Sequence, residues 1–340
     1  MIMRRNPRRH VAKVLVAVAV AGIGVSACSS SAAGGGSATT VNLVAYSVPK
    51  PAYDALASAF EKTPDGKGVS FASSYGPSGT QSKNVLAGQK ADYVAFSVTP
   101  DLTKLVPKLV DGAWNQGSTK GIVSDSVVVI TVRRGNPLHI TGWADLIKSG
   151  VKIVTPDPAS SGSAKWNILA AYEQVPAQGG TDAQAKDYLA SFFKNVVSRA
   201  SSGAVAMTQF LSGTGDVLIS YEDEAIDARQ VGDNIDYIVP DQTMLIENPA
   251  AVTSSAPAAA SKFLSFVKSA AGQSVFASKG FRPVQPGVTV GPVPGANDPG
   301  NPFPTPRKLT TIADLGGWTA VNKKFFDAAT GLVTGIERST

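Results

Sequence analysis

The chain has very little cysteine and histidine. Cys28 is the only cysteine, so no disulfide can form within the chain. Of the two histidines, His10 precedes Cys28 and only His139 follows it. A catalytic Cys–His pair and a metal site built from several histidines are therefore excluded after Cys28. We expect neither a metal nor a cofactor.

A serine hydrolase is the main enzymatic alternative, and it would depend on His139 alone. His139 follows an Asn-Pro-Leu segment, which is typical of a surface loop. The chain has no Gly-x-Ser-x-Gly elbow for such a histidine to serve. The carboxylates of residues 222–224 would be the candidates for an acid/base pair, but their place directly after a strand favours solvated or hinge-bridging charges. We therefore do not expect an enzyme.

The chain also lacks a basic surface for nucleic acid. Its formal net charge is +6, but residues 1–27 contain five of the basic residues and no acid. Without them the charge falls to +1, and no basic stripe interleaved with aromatic residues remains. Hydrophobic residues make up 43% of the sequence, which suffices for large cores in a chain of 340 residues.

The first 27 residues predict a signal peptide. Arginines at its start precede an apolar run from Val11 to Val25 that is short for a membrane span. The following Val25-Ser-Ala-Cys28 resembles a bacterial lipobox, in which the cysteine is lipidated and becomes the mature N-terminus. Residues 28–40 then predict a flexible tether that holds the protein on the outer face of the cell membrane. The alternative is an ordinary secretory signal that is cleaved nearby, with Cys28 as a bystander.

Strands and helices alternate along the rest of the chain, which predicts an α/β fold. The predicted strands begin at Val41, and a helix is predicted for residues 183–197. The Pro- and Gly-rich segment 283–306 is not expected to form regular structure. Several strands end in serine before a helix begins, at Ser47, Ser78, Ser97 and Ser161. Ligands of open α/β sheets bind beyond the carboxyl ends of the strands, so these turns predict a polar pocket.

The segment from Thr155 to Trp166 has the strongest signal of this kind. A short apolar strand ends at two prolines, a Ser-Ser-Gly-Ser turn follows, and a helix begins. The first N–H groups of a helix have no partner within it, and the helix dipole favours negative charge there. The segment therefore predicts an anion-binding turn. The carboxylate of Asp157 is expected to point away from it, capping the turn or facing solvent.

Together, four motifs resemble the bacterial sulfate-binding proteins of ABC importers. They are Gly76–Ser82, Thr155–Asn167, Gly215–Glu224 and Leu315–Thr319. The resemblance implies a two-lobed, hinged periplasmic-binding-protein fold that binds its ligand in the cleft between lobes. We expect residues 41–125 plus 242–305 to form one lobe and residues 126–241 plus 306–340 to form the other.

The resemblance also implies the ligand contacts. Ser78 is expected to contact sulfate through its hydroxyl and Ala204 through its backbone. The full set predicted to bind sulfate is Ser47, Ser78, Ser161, Gly162, Ser163, Ala204 and Tyr221.

Two positions depart from the family pattern. Ser47 stands where the family usually has aspartate, and Tyr221 stands where it has a tryptophan whose indole N–H donates to sulfate. Molybdate-binding relatives also use a tyrosine, so molybdate or tungstate is the alternative ligand.

The resemblance further implies a monomer whose partners are sulfate, also thiosulfate, and the permease subunits of the importer.

Overall fold

The computed structural model describes residues 39–339. The predicted signal peptide, Cys28 and most of the predicted tether lie outside these residues. The described residues form ten strands and eleven α-helices. The strands are β1 (Thr39–Tyr46), β2 (Val69–Gly76), β3 (Tyr93–Ala95), β4 (Ile122–Arg133), β5 (Ile153–Pro156), β6 (Val196–Ala200), β7 (Val217–Tyr221), β8 (Ile235–Ile238), β9 (Gln242–Val252) and β10 (Lys308–Thr310).

The helices pack around these strands. They are α1 (Lys50–Glu61), α2 (Ser78–Leu86), α3 (Thr99–Thr103), α4 (Gly162–Glu173), α5 (Asp182–Lys194), α6 (Gly203–Leu211), α7 (Glu222–Gln230), α8 (Ala258–Lys268), α9 (Ala270–Ser278), α10 (Gly317–Val321) and α11 (Leu332–Ser339). Within residues 39–339, no helix has both the length and the apolar character needed to cross a bilayer.

The sheet has two parallel halves joined by antiparallel strands. Its order is β2-β1-β3-β9-β4-β7-β5-β6, with β10 beside β9 and β8 beside β4. Strand β1 is parallel to β2 and β3, and β5 is parallel to β6 and β7. Between them, β9 is antiparallel to both β3 and β4. Each half therefore presents its own set of strand carboxyl ends, followed by helix N-termini.

The chain passes between the halves along β4 and β9. Residues 122–127 of β4 pair with β9, whereas residues 128–132 pair with β7 of the second half. Residues 250–252 of β9 pair with β3 of the first half, and residues 242–244 pair with β10. Both strands are thus shared by the two halves, and a register shift between Ile122 and Ser124 interrupts their pairing.

Each half has a separate aromatic core. In the first half, Phe60 of α1 meets Phe263 of α8 with ring centroids 5.4 Å apart. In the second half, Trp166 and Tyr172 of α4 are fully buried, and the Tyr172 ring packs edge-on against Phe325 at 4.8 Å. The C-terminal residues therefore contribute to the core of the second half.

Strands β6, β9 and β1 differ from the sequence prediction. The predicted helix 183–197 ends at Lys194, because the β-branched Val196 and Val197 begin β6 beside β5. Strand β9 was not predicted, since Pro249 and Asn248 interrupt its apolar pattern. Pro249 is tolerated because it lies beside the register shift opposite Ile122. Strand β1 begins at Thr39, so the last two residues assigned to the tether belong to the sheet.

Candidate functional site

Three helices begin shortly after strands, and the turns before two of them, α4 and α6, are joined by a hydrogen bond from the Ser160 hydroxyl to the carbonyl oxygen of Ser201, at 2.9 Å. Helix α2 begins at Ser78 after β2, α4 at Gly162 after β5, and α6 at Gly203 after β6. Small residues at these starts let backbone N–H groups approach a ligand closely. Helix N-termini carry a partial positive charge, so the arrangement favours an anion without any basic side chain.

The two halves of the sheet are in contact at these helix starts. The N–H of Gly79 donates to the carbonyl oxygen of Ser160 at 3.1 Å. The indole N–H of Trp166 donates to the carbonyl oxygen of Ser97 at 2.8 Å. A Cβ atom placed on Gly162 would lie only 2.7 Å from the Cβ and Oγ atoms of Ser97. The cleft between the halves is therefore closed in this structure.

Buried hydroxyl groups gather where the halves meet. Ser161 and Ser163 are 3% exposed and Tyr221 is fully buried. The Tyr221 phenol lies 2.7 Å from the Ser97 hydroxyl, and the Ser163 hydroxyl lies close to it. Burial raises the pKa of Tyr221 well above its usual value, so the phenol keeps its proton at neutral pH. We call the hydroxyls of Ser97, Ser163 and Tyr221 the hydroxyl cluster.

The hydroxyl of Ser78 is engaged within the protein. It donates to a carboxylate oxygen of Asp101 at 2.7 Å and accepts from the N–H of Ser97 at 3.1 Å. The hydroxyl contact expected for Ser78 is therefore not available in this structure. The group of Ser78 that remains for a ligand is its backbone N–H, because the first N–H groups of a helix have no partner within the helix.

Ser47 and Ala204 line a neighbouring cavity of about 250 Å³ instead of the hydroxyl cluster. Val48, Met207 and Glu224 also line it. A Cβ atom on Gly203 would lie 2.9 Å from Cγ2 of Val48, so the start of α6 packs against the turn that follows β1. The structure thus places five of the seven predicted residues at the junction around Ser97 and the other two in this adjoining cavity.

Two residues of the site were missed from the sequence. Ser97 was recognised as a strand end but not assigned to the ligand, although it contacts Ser78, Gly162 and Tyr221. Asp101 lies in α3 and is 3% exposed, with Lys104 forming an ion pair to it at 2.8 Å. Nothing in its sequence context distinguishes this aspartate from a surface residue of a short helix.

The carboxylates of residues 222–224 are buried, so of the two expected roles, solvated or hinge-bridging charges, the solvated one is wrong. They occupy the first turn of α7, where the helix dipole favours negative charge. Glu222 forms a two-pronged ion pair with Arg282, at 2.7 and 3.0 Å. Burial raises the pKa of Asp223 well above its usual value and that of Glu224 to about 7. Glu224 therefore retains part of its proton at neutral pH, which reduces the negative charge beside Gly203.

Two other expectations about polar side chains are confirmed. Asp157 accepts a hydrogen bond from the N–H of Ala159 at 2.8 Å, so its carboxylate caps the turn. His139 lies exposed in a loop after β4. Neither side chain points into the hydroxyl cluster.

Comparisons with known sequences identify the family of this chain. Residues 41–282 match the sequence model of a family described as bacterial extracellular solute-binding protein. A sulfate-binding protein of Synechococcus elongatus is 36% identical over 301 residues, which cover 84% of this chain and 83% of the relative. A thiosulfate-binding protein of Pseudomonas aeruginosa is 28% identical, over 83% of this chain and 88% of that protein.

Among solved structures, the chain resembles the sulfate-binding protein SubI from Mycobacterium tuberculosis. The TM-score is 0.79 at 43% sequence identity, over 85% of this chain and all of that chain. Solved periplasmic binding proteins with less than 20% identity share the same fold, among them one with a TM-score of 0.63. The predicted two-lobed α/β architecture is thereby confirmed.

Proposed function

Since the chain belongs to the family of bacterial extracellular solute-binding proteins, we propose that it captures sulfate outside the cytoplasm and delivers it to an ABC importer. The observation that supports this most is the convergence of helix N-termini and the hydroxyl cluster at the closed cleft. The relatives above are named for binding sulfate or thiosulfate. A protein that captures and delivers an anion needs no catalytic groups. Sulfate is favoured over thiosulfate because the relative at 36% identity and the solved structure at 43% identity are named for sulfate, whereas the thiosulfate-binding relative is 28% identical.

The donors of this cleft suit a fully ionised dianion. Sulfate has no proton at neutral pH, so each contacting group has to donate. Backbone N–H groups, serine hydroxyls and the protonated Tyr221 phenol all donate. A hydrogen bond to a charged group contributes about 1.5–3 kcal/mol. Six or seven of them offset association costs of roughly 4–15 kcal/mol and leave micromolar affinity or better.

The ligand set we propose is the one implied by the family resemblance, with Ser78 acting through its backbone. It consists of Ser47, Ser78, Ser161, Gly162, Ser163, Ala204 and Tyr221. The first lobe is proposed to comprise residues 41–125 plus 242–305, and the second residues 126–241 plus 306–340. The shared strands β4 and β9 support this division, because the chain passes between the halves there. Closure of the lobes is then what brings Ser97 onto Gly162.

Isothermal titration of the purified protein tests the proposed function. We expect micromolar or tighter binding of sulfate, weaker binding of thiosulfate and molybdate, and no measurable binding of monohydrogen phosphate. Tighter binding of molybdate than of sulfate would show that Tyr221 marks a molybdate protein instead. No binding of any of these anions would refute the proposal.

We also propose that Cys28 is lipidated and anchors the protein to the outer face of the cell membrane. Replacing the sulfur removes the attachment point of the lipid, so Cys28→Ala is expected to move the protein from the membrane fraction to the soluble fraction. Its affinity for sulfate should stay unchanged, since the site lies after residue 41. Cell fractionation and immunoblotting measure this. Retention of the variant in the membrane fraction at the wild-type level would contradict the anchor.

A further inference from the structure

Ser97 is held in place by contacts to both halves of the molecule. Its N–H donates to the hydroxyl of Ser78 in the first half. Its carbonyl oxygen accepts from the indole of Trp166 in the second half, at 2.8 Å, and from the side-chain amide of Asn248 at 3.1 Å. The backbone of Ser97 is therefore fixed when the cleft is closed.

The side chain of Ser97 lies between the start of α4 and the Tyr221 phenol. It is fully buried, and its hydroxyl oxygen is 2.7 Å from the phenol oxygen. On its other side, Gly162 leaves no room for even one additional carbon atom. The Ser97 hydroxyl thus has a defined partner, and this partner is a residue proposed to bind sulfate.

A phenol proton needs such a partner because its direction is not fixed by the ring alone. A tyrosine hydroxyl both donates and accepts, and it turns to suit its neighbours. With the Ser97 hydroxyl oxygen 2.7 Å away, the Tyr221 proton has an acceptor inside the protein. If Ser97 donates to the phenol oxygen, the Ser97 oxygen is no longer the acceptor of the phenol proton. The phenol proton is then free to point at a ligand.

We propose that Ser97 is a positioning residue for sulfate capture, whose hydroxyl donates to Tyr221 and so directs the phenol proton to the anion. This inference rests on the proposed function. In a chain of hydrogen bonds, each bond polarises the next, so the donation from Ser97 also strengthens the bond from Tyr221 to the dianion. Ser97 acts through Tyr221, and its contribution disappears when the phenol oxygen is absent.

A double-mutant cycle measured by isothermal titration with sulfate tests this dependence. Tyr221→Phe should bind sulfate about 10-fold to 100-fold more weakly than the wild type, because one hydrogen bond to a charged group is lost. Ser97→Ala should bind about 3-fold to 10-fold more weakly, because the phenol proton loses its direction. The double variant should match Tyr221→Phe within about 2-fold, since Ser97 has no separate effect.

Ser220→Ala is the matched control. Ser220 is a buried serine next to Tyr221 on β7, and its hydroxyl bonds to Thr131 at 2.8 Å, away from Ser97. The Ser220→Ala variant should bind sulfate with the affinity of the wild type. Thermal unfolding without sulfate shows which variants remain folded. Should Ser97→Ala unfold, Ser97→Cys replaces it in the same cycle, because a thiol donates more weakly, and a loss caused only by its larger sulfur would persist in the Tyr221→Phe background.

The other outcomes overturn the inference. Unchanged affinity in Ser97→Ala, or losses that multiply in the double variant, would show that Ser97 does not act through Tyr221. A larger loss in Ser97→Ala than in Tyr221→Phe would make Ser97 the direct donor. If the wild type itself does not bind sulfate, the proposed function fails and this inference fails with it, whereas the preceding outcomes all leave sulfate binding by the wild type intact.

Discussion

Gly162→Ala is expected to weaken sulfate binding by about 5-fold to 150-fold while leaving the unliganded protein folded. The added Cβ would lie 2.7 Å from two atoms of Ser97 and 3.3 Å from Val98. These atoms belong to the other half of the sheet, so the clash exists only when the cleft is closed. Overpacking of this kind costs about 1–3 kcal/mol, and the upper value corresponds to a factor of more than 100 in affinity.

Isothermal titration and small-angle scattering measure the two parts of this expectation. The wild type should become more compact when sulfate is added, whereas the variant should not at the same concentration. Gly335→Ala is the control, since a Cβ there meets no atom within 4 Å beyond its chain neighbours and the backbone of its own helix. Wild-type affinity in Gly162→Ala would contradict the closed cleft described above, or show that the start of α4 shifts to make room.

Arg282→Met is expected to lower the free energy of unfolding by about 3–5 kcal/mol, the cost of removing one partner of a buried ion pair. Glu222 is fully buried and Arg282 is 13% exposed, and two hydrogen bonds join them. Arg282 also donates to the carbonyl oxygens of Phe303 and Pro304, so it ties the segment after α9 to the start of α7. Urea denaturation measures the loss.

The stability lost in Arg282→Met should increase as pH rises. Burial already raises the pKa of Glu222, and Arg282 opposes that rise. Without Arg282 the folded-state pKa rises further, so the folded variant binds a proton that the unfolded chain releases above about pH 4.3. Its stability therefore falls as pH rises, and the deficit relative to the wild type should be smaller at pH 5 than at pH 8.

Two further variants make this result specific. Arg282→Met combined with Glu222→Gln should recover part of the lost stability, because no charge then remains buried. Lys262→Met removes an exposed pair with Asp65, 53% and 64% exposed, and should change the free energy of unfolding by less than about 1 kcal/mol. Equal losses in Lys262→Met and Arg282→Met would argue against the buried pair as the cause.

The sequence was most informative where local chemistry decides the structure. Pro156, Pro158 and the Ser-Ser-Gly-Ser turn end β5 and start α4 within the chain segment itself, so the helix N-terminus at Gly162 was predictable. Asp157 caps the same turn for a local reason as well.

The parts that were missed depend on residues distant in the sequence. β9 tolerates Pro249 only because of the irregular pairing with β4, and the carboxylate of Glu222 is buried because Arg282 reaches it from sixty residues away. Ser97 and Tyr221 are separated by 124 residues, so their contact has no local signal. Periodicity and turn residues give information only about the chain near each position. The closed cleft depends instead on contacts between residues that are far apart in the sequence.

The order of strands in the sheet has a consequence for how the protein is made. Tyr93 pairs with Val252, so the first half cannot complete its sheet until synthesis has passed β9. The core of the second half is completed later still, because Phe325 and residues after it pack into the same core as Tyr172. Contacts between such distant positions make folding slow, since a large loop has to close before they form. Slow folding leaves the newly made chain unfolded for a time, in which the predicted signal peptide can direct export before either half is complete.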